Sequence, residues 1–211
     1  MSKKVYLVRH GETEDLAKKL HQQNDSVLSE RGNQQAQDVA GRFSKIRADI
    51  VYSSPFLRTL QTAKHIGTIA GAPVETKELL RERKQPKEIM GKPRDDAEVM
   101  RIKNTINEHR HDPSWHYSDE ENFFDLRGRV KEFQKFVEND TQENVVLVSH
   151  AVFIKMFTLV SVFGDLLTPD MFSSYYQHVR TSQTGITMLE FTDNEWKLLT
   201  WNDYAHLGEN T

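Results

Sequence analysis

The sequence contains no cysteine. That excludes disulfides and a cysteine nucleophile. No apolar run is long enough to cross a bilayer, which takes about 20 residues; the longest, Ala151 to Phe163, is interrupted by Lys155. Neither charge sign dominates, with 28 Lys and Arg against 31 Asp and Glu and a net charge of −3. Such a balance gives no general attraction to nucleic acid or to an anionic membrane. A Gly-x-x-x-x-Gly-Lys-Ser/Thr loop is missing, which argues against a nucleoside triphosphate cradle. The chain enters a strand pattern almost at once, without an apolar leader. Together these absences lead us to expect a cytoplasmic protein with neither nucleic acid nor membrane as partner.

What is present begins with Val5-Tyr6-Leu7-Val8, followed by Arg9-His10-Gly11-Glu12-Thr13. Apolar β-branched and aromatic residues read as a buried strand, and Gly11 permits a turn where a side chain would crowd the backbone. The unit recurs as Val145-Val146-Leu147-Val148-Ser149-His150. In open α/β sheets, ligands sit beyond the carboxyl ends of the strands. If the two strands lie parallel and adjacent, His10 and His150 share one pocket.

Between and after these strands the pattern alternates. Ser29 reads as a helix N-cap with Leu28 as a staple, and Ala36, Val39, Ala40 and Phe43 form one face of a helix ending near Ile46. A short strand at 49–53 runs into Ser54-Pro55, read as cap and first helical residue, which places Arg58 in a first helical turn. Pro73-Val74-Glu75 reads as another strand. Val99, Ile102 and Ile106 mark a thinly apolar helix, and Leu126, Val130, Phe133 and Val137 a stronger one. The stretch from Ala151 to Phe163 is apolar all round and reads as a buried helix. Two strands, Ile186–Phe191 and Trp196–Trp201, flank a turn at 192–195. The predicted fold is a three-layer α/β/α arrangement. Its central sheet is mostly parallel, with a C-terminal antiparallel hairpin at the edge. We expect a single domain, 1–211, with a charged cap-like insertion at about 83–122. That insertion includes Arg94, Arg101, Lys103, His109 and His111, which offer charge for a second anionic group, but its many acids leave no preference.

Arg9, His10, Arg58 and His150 form the candidate cluster. Four convergent groups of cationic character repel one another unless an anion sits among them, and a phosphoryl group, with about −1.5 to −2 charge, is the matching guest. The arginines stay charged, whereas histidines titrate near neutrality. A neutral imidazole can attack phosphorus while the remaining cations neutralise the other oxygens, without calling for a metal. The leaving oxygen needs a proton, for which Glu82 in Leu80-Arg81-Glu82 is the candidate.

Leu7-Val8-Arg9-His10-Gly11-Glu12-Thr13 resembles the signature of the histidine phosphatase superfamily, phosphoglycerate mutase-like branch, small phosphatase type. Leu28–Gly32, Ser53–Ala63, Leu80-Arg81-Glu82, Val148-Ser149-His150 and Asn202–Leu207 are similar to further family segments. The resemblance implies His10 as the phosphorylated nucleophile and Arg9, Arg58 and His150 as the phosphate pocket. It also implies Glu82 as proton donor, a backbone contact to phosphate near Thr184 and Gly185, and no cofactor or metal. Two departures stand out. Asp15-Leu16 occupies the place of a Trp-Asn pair, and leucine cannot donate to phosphate; Ala151 replaces the glycine after the second histidine. His109, His111 and His116 lack the accompanying acidic or thiolate pattern of a metal site. The expected activity is phosphomonoester hydrolysis through phosphohistidine on a small-molecule substrate. The alternatives are phosphoglycerate mutase-type transfer and non-catalytic phosphate binding.

Overall fold

The computed structural model describes residues 2–208. Its first strand, β1 (Lys3–Arg9), lies inside a six-stranded sheet. The others are β2 (Ile50–Ser53), β3 (Val74–Thr76), β4 (Asn144–Ser149), β5 (Ile186–Thr192) and β6 (Glu195–Asp203), in the order β3-β2-β4-β1-β5-β6. β1, β4, β2 and β3 pair in parallel, whereas β5 and β6 are antiparallel and form one edge. The turn between them uses Asp193 (φ 52°) and Asn194 (φ 64°). Two consecutive left-handed residues of this type match the twist of a two-residue hairpin.

Strand alternation divides the core into two layers. Val5 and Leu7 of β1, with Val145 and Leu147 of β4, face α5 (Phe123–Asn139) and α6 (Ala151–Phe163). Tyr6 and Val8, with Val146 and Val148, face the opposite way, toward α2 (Glu30–Arg42) and α3 (Leu57–Ala70). Residues i and i+2 of a strand share a face, so two consecutive apolar pairs require helices on both sides. Each fully buried Val or Leu contributes roughly 1.5–3 kcal/mol. α7 (Pro169–His178) packs on α6.

Ala97–Glu108 forms α4, whose Val99 and Ile102 join Ile89 in a small apolar cluster apart from the two main layers. The polar stretch after Thr13 carries a one-turn helix, α1 (Glu14–Ala17), capped by Thr13.

Three local expectations change. Ser29 caps α2 by accepting from Gly32 N, but the residue at the staple position is Asn33, so Leu28 buries itself without that partner. α2 ends at Arg42, and Ile46 packs on the core from the following turn. α3 begins at Leu57, with Phe56 as its N-cap residue, so Ser54 is not its cap. Its hydroxyl is committed elsewhere, as described next. No helix among the described residues is long and apolar enough to cross a membrane.

Candidate active site

The parallel register aligns Arg9 with Ser149, so His10 and His150 each follow the last paired residue. His10 N–H donates to Ser149 O at 3.0 Å, which ties the two strand ends together. Both histidines are buried, and their rings meet edge to face with centroids 5.2 Å apart. Arg58, in the first turn of α3, is 2% exposed and lies over the ring of Phe56, which itself packs against His150. Arg9 donates to Thr181 O, and Arg58 to Gln23 O at 2.9 Å. These bonds hold each guanidinium by one edge. Arg9 Nε, Arg58 Nε and His150 Nδ1 are buried without a partner. Buried polar atoms are nearly always partnered, so these three orphans, two arginine donors and an imidazole that can become one, form a set suited to an oxyanion.

His10 Nδ1 donates to Gly11 O at 2.7 Å. That bond fixes the tautomer and leaves Nε2 with its lone pair. Burial, with the charges of Arg58 and Arg9, holds His10 well below the ordinary histidine range, so the ring is neutral. His150 is depressed likewise by burial and by Arg58, His10 and Arg9. Its Nε2 shares a 2.9 Å hydrogen bond with Ser54 Oγ, the commitment that takes Ser54 away from α3. Burial pulls Arg9 and Arg58 down to about 10, opposed chiefly by the charge of Glu82, so both stay cationic at neutral pH.

Gly11 is required by close approach. A Cβ there would stand 2.4 Å from Gly32 O. Gly11 N–H donates to Thr62 Oγ1 of α3 at 3.2 Å, so the turn after His10 is clasped between α2 and α3.

Glu82 borders the same cavity as Arg9 and Arg58, a cleft of about 630 Å³. Its carboxylate accepts from Val152 N at 3.2 Å and Phe153 N at 3.1 Å, the first turn of α6, where a negative charge is favoured. Ser149 Oγ donates to Leu80 O at 2.7 Å, and Arg129 to Leu79 O and Arg81 O at 2.8 Å each. Arg129 is in turn held bidentately by Glu121. The 79–82 segment is thus pinned beside the strand ends.

The structure does not bring Thr184 and Gly185 to the cavity. Thr184 N–H donates to Arg9 O at 3.0 Å and Gly185 N–H to Ser182 O at 3.1 Å, so both backbone donors are spent inside the protein. They secure the backbone of Arg9 instead, since Arg9 N–H donates to Gly185 O. Leu16 borders a neighbouring cavity of about 350 Å³ that also touches Arg9. His116 pairs with Asp125, His111 with Asp170, and His109 stacks on Trp115.

Sequence reasoning missed Arg129, Ser54 and Lys155 as parts of this site. Arg129 carried a signal: it falls on the apolar face three residues after Leu126, where a surface charge does not belong. Lys155 carried the same one, as the single charge in an apolar helix; burial and the charge of Arg9 lower it to about 8, and its Nζ donates to Tyr176 O at 2.9 Å. Ser54 carried none, since its cap reading was locally sufficient.

A family model for the histidine phosphatase superfamily (branch 1) matches residues 5–204. The chain belongs to that superfamily. The chain is similar over 79 residues, at 44% identity, to a probable phosphoglycerate mutase GpmB of Proteus mirabilis, covering 37% of each chain. Its fold matches Bacillus stearothermophilus YhfR with a TM-score of 0.79 at 24% identity, over 97% of this chain and 99% of that one. It also matches a mutant phosphoserine phosphatase from Entamoeba histolytica, solved with phosphoserine, with a TM-score of 0.77 at 26% identity, over 97% and 99% of the two chains. Two of these relatives carry the names of a phosphoglycerate mutase and a phosphatase.

Proposed function

We propose that the protein is a phosphomonoesterase that acts on small-molecule phosphoesters through a phosphohistidine at His10. The observation that carries this reading is the Nδ1–H bond from His10 to Gly11 O, because it leaves Nε2 unprotonated in a ring that burial keeps neutral. Nε2 attacks phosphorus and the ester oxygen departs with a proton from the Glu82 carboxyl. Water then attacks the phosphohistidine, gives its proton to the Glu82 carboxylate, and releases phosphate with Nε2 restored. Arg9, Arg58 and His150 hold the non-reacting oxygens, and bound anionic charge raises the histidine so that His150 can donate. With protein cations in that role, the reaction calls for no metal.

The chain is read as one domain in which 83–122 acts as a cap over the cavity. Phosphoglycerate mutase chemistry is the second reading, supported by the name of the curated relative. The test is phosphate release from aryl and alkyl phosphates, run beside a phosphoglycerate isomerisation assay primed with bisphosphate. Hydrolysis far exceeding isomerisation supports the proposal. Isomerisation without net phosphate release favours the mutase, and no turnover in either assay overturns both.

A further inference from the structure

The segment 83–122 carries both charge signs, and the structure sorts them. Its acids are largely engaged. Asp96 caps α4, Glu98 pairs with Lys92, Asp119 with Lys84, Glu121 with Arg129, and Glu120 accepts from Tyr117 and Ser118 N–H groups. Lys103 and Arg94 have no carboxylate partner among the described residues. Both border the same cavity as Arg9 and Arg58, and His21 joins them there.

These three groups are built together. His21 N–H donates to Lys92 O at 2.9 Å, Gly91 N–H to His21 O at 3.0 Å, and Arg94 N–H to Lys19 O at 3.0 Å. A bridge pairs Leu20 with Pro93. The loop after α1 and the segment before α4 are therefore fastened side by side. Lys103 follows the buried Ile102 on α4. His21 Nε2 is buried without a partner. The groups also feel one another: burial and the charges of Lys103 and Arg94 lower His21 to about 4, and burial and Arg94 lower Lys103. The charge of Arg94 reaches Arg9 as well. Clustered cations without a counter-ion are costly unless an anion is to be bound.

We infer that His21, Arg94 and Lys103 form a second anion-binding subsite, and that the substrate is a phosphomonoester bearing a carboxylate or a second phosphate away from the reacting phosphorus. The inference rests on the phosphatase reading only for where the reacting phosphoryl group sits.

The test uses binding, so that it stands apart from turnover. Calorimetry on the full-length His10→Ala protein compares an unadorned alkyl phosphate with its ω-carboxylate and its ω-phosphate. Three- and six-carbon chains are both included to cover the span. At least one doubly anionic ligand is expected to bind about tenfold tighter than the matched alkyl phosphate. Lys103→Met and Arg94→Met, each made in the same background and checked for fold by circular dichroism, are expected to bring that ratio close to one. The ω-carboxylate and ω-phosphate arms identify which group the subsite takes. A ratio near one at both chain lengths, or a preference that survives in both variants, overturns the inference. Tight, selective binding to His10→Ala with no phosphate release by the unmodified enzyme would sink the hydrolysis reading and leave the subsite standing.

Discussion

The rings of His10 and His150 stand edge to face, 5.2 Å between centroids and 63° between planes, although most of the chain lies between them in sequence. The parallel pairing of β1 with β4 produces this meeting, since each histidine is the next residue after the last aligned pair. One imidazole has its Nδ1 hydrogen committed to Gly11 O and the other keeps a bare buried Nδ1. The two rings are therefore differently equipped, and that difference motivates the first prediction.

His10→Ala is expected to abolish phosphate release and covalent labelling, a loss of about 10³-fold or more in kcat as for other nucleophile deletions. His150→Ala is expected to retain residual labelling, because it removes an oxyanion partner and leaves the nucleophile. Acid-quenched labelling with radioactive substrate reads both. Normal labelling in His10→Ala removes the assigned nucleophile.

Glu82→Gln is expected to slow alkyl phosphates by about 10²-fold or more and aryl phosphates much less, since a good leaving group needs little help from an acid. The amide oxygen still accepts from the start of α6, so the segment stays in place. Equal losses on both substrate types would assign Glu82 to helix capping alone.

Stability is expected to fall as the pH drops from about 6.5 toward 4. Burial and neighbouring cations lower His10 and His150 in the folded state, and lower His21 to about 4. The unfolded chain binds those protons near pH 6.5, so in this window it holds more protons than the folded chain and is favoured by them. Above about 6.5 these residues contribute no slope. Inorganic phosphate is expected to restore part of the loss by binding the folded cluster. Thermal melts between pH 7.5 and 4.5, with and without phosphate, check this. A melting temperature flat across that range contradicts it.

Gly11→Ala is expected to destabilise the fold by about 1–3 kcal/mol and to cut activity, because the new Cβ would meet Gly32 O at 2.4 Å and displace the carbonyl that orients His10. Gly128→Ala in α5 is the control. A Cβ there meets nothing within 4 Å, so the change is expected to stabilise by about 0.5–1 kcal/mol. Denaturant unfolding separates the two. A neutral Gly11→Ala shows that the turn has room to shift.

Much of this architecture was legible along the chain. The doubled apolar pairs of β1 and β4 announced strands covered on both faces, the spacing in α5 announced its core face, and Asp193-Asn194 announced a tight hairpin. Arg9, His10, Arg58 and His150 were readable as a cluster because each ends a strand or starts a helix next to one. Arg129 stood out as a charge on the apolar face of α5, but its partners, the carbonyls of Leu79 and Arg81, lie on a segment remote in the chain and could not be read from it. Thr184 and Gly185 were misplaced because nothing local shows whether a turn's N–H groups face a cavity or a neighbouring strand end.

The sequence by itself determined which residues are buried, the layering that follows, and the kind of charge gathered at the strand ends. Those properties depend on the local repeat of apolar and polar side chains, which the chain carries wherever it goes. Tertiary structure alone decided the tautomer of His10, the pinning of Glu82 against α6, and which charges of 83–122 face the cavity. Glu82 is held by N–H groups of α6, remote in the chain, and the bond from His10 to the adjacent Gly11 O forms in a turn fixed between α2 and α3; such arrangements are chosen only when the helices and strands have packed.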